Sequence, residues 1–380
     1  MTHIMTDIRT ADKSARIAFP PRVETTGLPS SRLFSCGKFS YNIWLVPGDK
    51  VIGFSIDVML TSILLWSIAL SLLLISFTPG VWYKLWFFEI LGTGYLWFAG
   101  LTLILLLALF LPRFRPSRWK LMITLAVGLG FYASTIGTWY VPRLRDARTG
   151  GFPLTVMTYN VNYQLWETSA VTDLVRANPV DVFGLVEPFK EQAAELLDNV
   201  QDLYPYYYRA TGGGLSLFSR YPITEATTDN LGTRHHSLFA SVNVTGHPIR
   251  VVVAHPLAPI SMPNFINRNQ AMVALAAYAA QQSITTVIMG DFNLTSWSIY
   301  FRNFIINSGL RSVNLGHGLN PTWFYTDEAR SLSHLDHWKQ ALKIPIDHIF
   351  VSQNVRVDQV NTLPSGVSDH RPVIAKLRVM

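Results

Sequence analysis

The residues able to do chemistry in this chain recur in one setting, at the ends of short apolar runs. Asn160 closes LTVMTYN, Glu187 closes DVFGLVE, His255 closes RVVVAH, and Asp291 with Asn293 closes VIMGDFN. Asp347 precedes HIFVS, and Asp369 with His370 follows the loop PSGVS. Carboxylate and amide oxygens are hard ligands for Mg2+ or Mn2+, ions that hold phosphate substrates through few protein ligands and several waters. Glu187, Asp369 and Asn160 suit that task. Hydrolysis of a phosphoester also needs a base for the attacking water, and donors where negative charge develops. Asp291, Asn293, His255 and His370 are of the right types, and Asp347 is the candidate carboxylate that orients His370. Asn162 and Trp323 are candidate substrate contacts. Singly, each residue has an ordinary reading: Asp291 and Asn293 can close an Asx turn, and His255 can be a satisfied polar group. Trp323 and its neighbour Phe324 can equally pack in a core. The order of the whole set carries the chemistry.

Positioning such a set requires a rigid scaffold. The apolar runs read as strands buried on at least one face, and Thr168 to Ala177 and Phe265 to Gln281 show helical spacing between them. Strands interleaved with helices predict an α/β or α+β sandwich over residues 152–380, with the polar residues on loops at strand ends.

The amino-terminal part is of another kind. Only 14% of the 380 residues are charged and 49% are hydrophobic, against about 25% charged in a soluble domain. Residues 1–53 read as a polar, disordered cytoplasmic tail without a signal peptide. Three apolar stretches follow, at about 54–77, 85–111 and 121–141, each close to the length of a membrane-crossing helix. Arg32, Lys38 and Lys50 in the tail, and Arg113, Arg115, Arg118 and Lys120 in the second connection, outnumber Lys84 in the first. The positive-inside bias then puts the carboxyl-terminal domain outside the cytoplasm of a multi-pass inner-membrane protein, with Arg143, Arg145 and Arg148 pulling the other way. Asp57 and Glu89, at the edges of the first two stretches, lie near enough to the interface to reach water.

Other features carry less. Cys36 is the single cysteine, which excludes an intramolecular disulfide or a cysteine-built metal site. Gly212 to Gly214 lacks the Lys-Ser/Thr of a phosphate loop and reads as a turn. His235 with His236, and His334 with His337, lack a third zinc ligand.

In order, TYNVN, GLVEP, SLFSRYPI, VVVAHP, MGDFN, PIDHIFVS and SDHRPV resemble the endonuclease/exonuclease/phosphatase superfamily over the whole carboxyl-terminal domain. That superfamily includes pancreatic deoxyribonuclease, apurinic endonucleases and neutral sphingomyelinases. The resemblance implies a four-layer α/β sandwich, preceded here by transmembrane helices. It also implies Asn160, Glu187 and Asp369 around a Mg2+ ion, Asp291 and Asn293 handling nucleophile and phosphate, and an Asp347–His370 pair. GDFNLTSWS and PTWF look like bacterial membrane-anchored members, including those associated with glycopeptide resistance. Pro188, where many nucleases have a polar residue, and the lack of basic DNA-tracking loops make nucleic acid the weaker partner. The expected function is therefore a membrane-anchored Mg2+-dependent phosphoesterase acting on a phosphorylated, lipid-linked substrate at the outer surface. A tethered nuclease and a non-catalytic scaffold are the alternatives.

Overall fold

A computed structural model describes residues 56–78, 85–110, 118–142, 150–212, 214–323, 343–364 and 368–380. The polar tail, Cys36, Lys84, Arg113, Arg115, Arg143, Arg145, Arg148, Gly213, Phe324, His334, His337 and the side chain of Asp57 lie outside the described residues.

The helical segment comprises α1 (Ile56–Ser76), α2 (Trp86–Thr93), α3 (Tyr95–Ala108) and α4 (Arg118–Gly137). By length and composition Met59–Ser76 and Arg118–Gly137 can each cross a membrane, and α2 with α3 makes a third span only if the pair counts as one. Those two helices are bent by 64°, so the stretch expected as one helix from 85 to 111 is broken at Gly94. The cause lies in α2, which is drawn onto the sandwich: Trp297 Nε1 donates to the Gly92 carbonyl (2.7 Å), and Trp86 Nε1 donates to that of Pro259 (2.7 Å). Glu89 does not reach for water; it pairs with Arg268 at 3.0 Å. Ala69, Leu72, Leu109, Leu121 and Leu125 form a small core between the helices, while Ile63, Leu64, Leu74, Ile104, Leu107 and Ile123 face outward. An apolar exterior of this kind suits lipid rather than water. Residues 61–380 form one compact unit.

The sandwich begins with β1 (Phe152–Asn160), α5 (Thr168–Ala177), β2 (Val182–Val186) and α6 (Lys190–Val200). Five strands follow: β3 (Tyr206–Arg209), β4 (Leu215–Ser219), β5 (Ile223–Asp229), β6 (Ser237–Val244) and β7 (His247–Ala254). Then come α7 (Met262–Ala280), β8 (Thr286–Asp291), α8 (Ile299–Ser308) and β9 (Arg311–Ser312). The last three strands are β10 (Asp347–Val351), β11 (Val355–Thr362) and β12 (Val373–Val379). They build two six-stranded sheets, ordered β11-β12-β1-β2-β4-β3 and β5-β6-β7-β8-β10-β9.

Two-residue periodicity explains the layers. In β2, Val182 and Val186 point into the core between the sheets, and Phe183 and Leu185 point into the layer under α5 and α6. In β8, Val287 and Met289 face the same central core, and Ile288 packs toward α7 and α8. Both faces of each sheet are covered, which is why these runs are apolar almost throughout. The result is a four-layer α/β sandwich, as expected.

Register gathers the strand ends. β1 and β2 are parallel, β7 and β8 are parallel, and β10 runs antiparallel to β8 with Asp347 opposite Asp291. β12 runs antiparallel to β1 with Val373 opposite Thr158, so the residues just before β12 arrive beside Asn160. Gly290 permits this closeness: at φ +147 its missing Cβ would sit 1.9 Å from the Ala254 carbonyl oxygen. The glycine of MGDFN is thus a requirement of strand approach.

Candidate functional site

The set converges. Asn160 Nδ2 donates to Glu187 Oε1 (3.1 Å) and Asp291 Oδ2 (3.0 Å), joining the two sheets. His255 Nε2 lies 3.5 Å from Glu187 Oε1 and 3.6 Å from Asp291 Oδ2. His370 Nδ1 bonds Asp347 Oδ2 at 2.8 Å, and its Nε2 lies 3.7 Å from Asp291 Oδ2. Asp291 therefore sits between two imidazoles. The expected Asx turn forms as well: the Asn293 amide donates to Asp291 Oδ1 (2.8 Å), and Asn293 Nδ2 donates to the Pro256 carbonyl (3.1 Å).

Backbone conformation aims several of these groups. Asn162, Glu187 and Asn293 adopt positive φ of 46°, 68° and 49°, a region that costs a non-glycine residue energy unless its surroundings fix it. Glu187 is fixed by donating its amide to the Gly214 carbonyl (2.7 Å), which gives the glycine turn a supporting role. Asp369 accepts from Asn162 Nδ2 at 2.9 Å and from Trp323 Nε1 at 2.8 Å. Asn162 and Trp323 thus hold a carboxylate in place.

Other contributors carried no sequence signal. Ser368 Oγ donates to the Asn160 carbonyl and accepts from the His370 amide (2.8 and 3.0 Å). Thr322 Oγ1 accepts from the Asp347 amide (3.2 Å). The buried Lys343 ammonium donates to the Asp369 carbonyl (3.0 Å), and the buried His348 bonds the Leu294 carbonyl through Nε2 (2.6 Å). Lone Ser, Thr, Lys and His residues outside a motif look like any others, except that Ser368 adjoins Asp369 in SDHRPV.

One ligand atom each from Glu187, His255 and Asp291 lies within 4.8 Å of the others, and the same holds for Asp291, Asp347 and His370. Asp369 belongs to neither group, and among the described residues His235 and His236 enter none. The donor set fits a divalent cation: the Asp291 and Asp347 carboxylates meet in a buried space, and among the described residues Asp347 Oδ1 has no hydrogen-bond partner, a deficit that positive charge relieves.

Electrostatics agree. Burial, then repulsion from Asp347, pushes the Asp291 carboxyl up to about 8. Burial opposes a charged His370, but Asp347, Asp291 and Asp369 outweigh it and hold that ring up to about 9. Burial lowers His255 against the attraction of Glu187, so its ring is neutral near pH 7. Asp291 and His370 bind protons more tightly folded than unfolded, so their stabilisation declines as pH rises. The windows run from 3.8 through about 8 for Asp291 and from 6.5 through about 9 for His370. Metal-free protein is expected to lose thermal stability between roughly pH 6.5 and 9, more steeply than an Asp291→Asn/His370→Gln variant. Parallel melting curves for the two proteins across that range would refute the electrostatic account.

No curated protein sequence matches the chain. Among solved structures, the endonuclease/exonuclease/phosphatase from Beutenbergia cavernae is similar with a TM-score of 0.50 and 19% identity, over 60% of this chain and 72% of that one. Its counterpart from Bacteroides vulgatus gives 0.47 and 18%, over 60% of this chain and 100% of that one. Sphingomyelinase C from Streptomyces griseocarneus gives 0.45 and 18%, over 59% and 99%. The model of the Endonuclease/Exonuclease/phosphatase family matches residues 157–370, more than half of the chain. That match begins just ahead of Asn160 and ends on His370, taking in every site residue described above, and the chain belongs to the endonuclease/exonuclease/phosphatase family.

Proposed function

We propose that this chain is a membrane-anchored, Mg2+-dependent phosphoesterase, with Mn2+ as an alternative ion, that hydrolyses a phosphate ester or pyrophosphate of a lipid-linked substrate at the outer membrane surface. The observation that carries the reading is where the helical segment meets the sandwich. α2 packs on the segments that follow β7 and β8, through Pro259 and Trp297, and those strands present His255, Asp291 and Asn293. The site and the apolar helices therefore share one end of the fold. Around it stand exposed apolar side chains: Ile260 (78% exposed) and Met262 beyond His255, and the Tyr163–Phe189 ring pair, 4.5 Å apart, next to Asn162 and near Glu187. A charged centre with an apolar rim suits a phosphate carried on an apolar body. GDFNLTSWS supports the likeness to membrane-anchored members, and the Lys and Arg bias supports an outward domain.

In this reading Glu187 leads the donor set for the cation, with Asn160 and His255 beside it. A bound divalent ion supplies Lewis-acid polarisation of the phosphoryl oxygens. Burial and Asp347 keep the Asp291 proton on at neutral pH without a cation; ionised when positive charge is bound beside it, Asp291 would take the proton of the attacking water. His370, held protonated by Asp347, donates a hydrogen bond to a phosphoryl oxygen, and the leaving oxygen takes a proton from solvent water as its bond to phosphorus breaks. Asn293 fixes the turn that aims Asp291.

The test is full-length protein reconstituted in vesicles, offered in parallel a polyprenyl or glycerolipid phosphate in the same bilayer, a water-soluble phosphate ester, and DNA. Mg2+-dependent release is expected from the bilayer substrate at least about tenfold faster than from the soluble one, because confinement raises effective concentration. DNA cleavage with lipids untouched overturns the assignment, and carboxyl-terminal reporter fusions active only in the cytoplasm overturn the outward placement.

A further inference from the structure

Arg268 is the single charged residue in the 19-residue α7, and it is 1% exposed. A guanidinium so placed needs a counter-charge and a full set of acceptors. Its Nη2 donates to Glu89 Oε1 (3.0 Å), its Nη1 to the Asn293 carbonyl (2.9 Å) and its Nε to Asn269 Oδ1 (2.9 Å). The rings of Phe265 and Tyr300 each lie 5.5 Å from the guanidinium carbon. Glu89 Oε1 accepts in addition from Ser298 Oγ (2.8 Å), just beyond the same turn.

The turn from Asp291 to Leu294 is therefore gripped from behind by two buried basic side chains, His348 on the Leu294 carbonyl and Arg268 on that of Asn293. His348 and its acceptor, the Leu294 carbonyl, both belong to the sandwich. Arg268 instead draws its counter-charge from α2, outside the family-matched residues 157–370. The turn holds Asn293 at positive φ and feeds its amide to Asp291, so a displaced carbonyl is passed directly to the carboxylate.

We propose that Glu89 and Arg268 form a brace through which helix α2 sets the position of the Asp291–Asn293 turn, making full turnover depend on the juxtamembrane helix. Both are positioning residues; neither touches the reacting atoms. The proposal rests on the assignment of Asp291 as a catalytic group. A misplacement of about 1 Å in a reactive group costs about 100-fold in rate, so the brace acts on kcat more than on KM.

The experiment uses the full-length chain in detergent micelles or nanodiscs. Glu89→Gln is expected to lower kcat by about 10- to 100-fold with KM changed less than about threefold, and Glu89→Asp is expected to recover most of the loss. Since Glu89→Gln leaves a buried guanidinium without its counter-charge, the variant Glu89→Gln/Arg268→Met, which removes both charges, is measured with it. The double variant is expected to melt near the wild type while keeping the low kcat. Wild-type kcat per folded molecule in the double variant, with Asp291→Ala inert, overturns the brace and leaves the site assignment standing. Turnover that survives Asp291→Ala overturns the assignment and the brace with it.

Discussion

Asp291→Ala is expected to cut phosphoester turnover by at least about 10³-fold, and His370→Ala by about 10² to 10⁴-fold, with little change in KM. Asp291 is 2% exposed and stands where Asn160, His255, His370 and the Asn293 amide all converge. His370 owes its charge to Asp347, so Asp347→Asn, which preserves shape but removes the negative charge, is expected to lose on the order of 10³-fold, by analogy with carboxylates that orient catalytic imidazoles. The three groups act as a unit, and the combined variant should be scarcely worse than the worst single one. Steady-state kinetics on the vesicle substrate, with circular dichroism to verify folding, decides the matter. Rates within tenfold of wild type in either alanine variant would remove the residue from the mechanism.

Chelation of divalent ions is expected to bring turnover down to background, and Mg2+ to restore it fully. The donor set explains why the effect is complete rather than partial: Asp291 is buried beside Asp347, which holds its proton on until positive charge arrives. The same logic gives a readout independent of activity. At a free ion concentration 100 times its dissociation constant, folding gains about 2.7 kcal/mol, so the melting temperature should rise with Mg2+ in the wild type and far less in Glu187→Gln. Undiminished turnover in excess chelator would dismiss the cation.

Much of this site is legible in the sequence because its residues terminate apolar runs. A run of alternating or continuous hydrophobics marks a strand, and a strand's end is where a side chain can be held firmly while facing solvent. Asn160, Glu187, His255 and Asp291 are visible for that reason, and Gly290 marks the strand approach that brings β8 against β7. What holds them is less visible. Trp323 serves Asp369 through a single ring nitrogen, and Thr322 serves Asp347 through one hydroxyl oxygen; neither type is distinctive without its partner in space. Glu89 misleads more seriously. Hydropathy places it at the margin of an apolar stretch, where water is the expected neighbour, because local sequence holds no information about Arg268 far along the chain. The break at Gly94 is hidden by the same limitation, since the contacts that bend α2 away from α3 come from Trp297 and Pro259.

The antiparallel pairing of Phe152 with Val379 sets a schedule for biosynthesis. β1 is the first strand of the sandwich to leave the ribosome, and β12, one of its two neighbours and the partner of β11, is the last. At about 5–20 residues per second, β1 waits roughly 10–50 s for that neighbour. The first sheet cannot close until β12 has emerged, so the catalytic unit matures only once residues 373–379 are free. A premature stop shortly before Val373 would strip β1 and β11 of their shared strand together and leave two open edges, a species suited to aggregation or proteolysis.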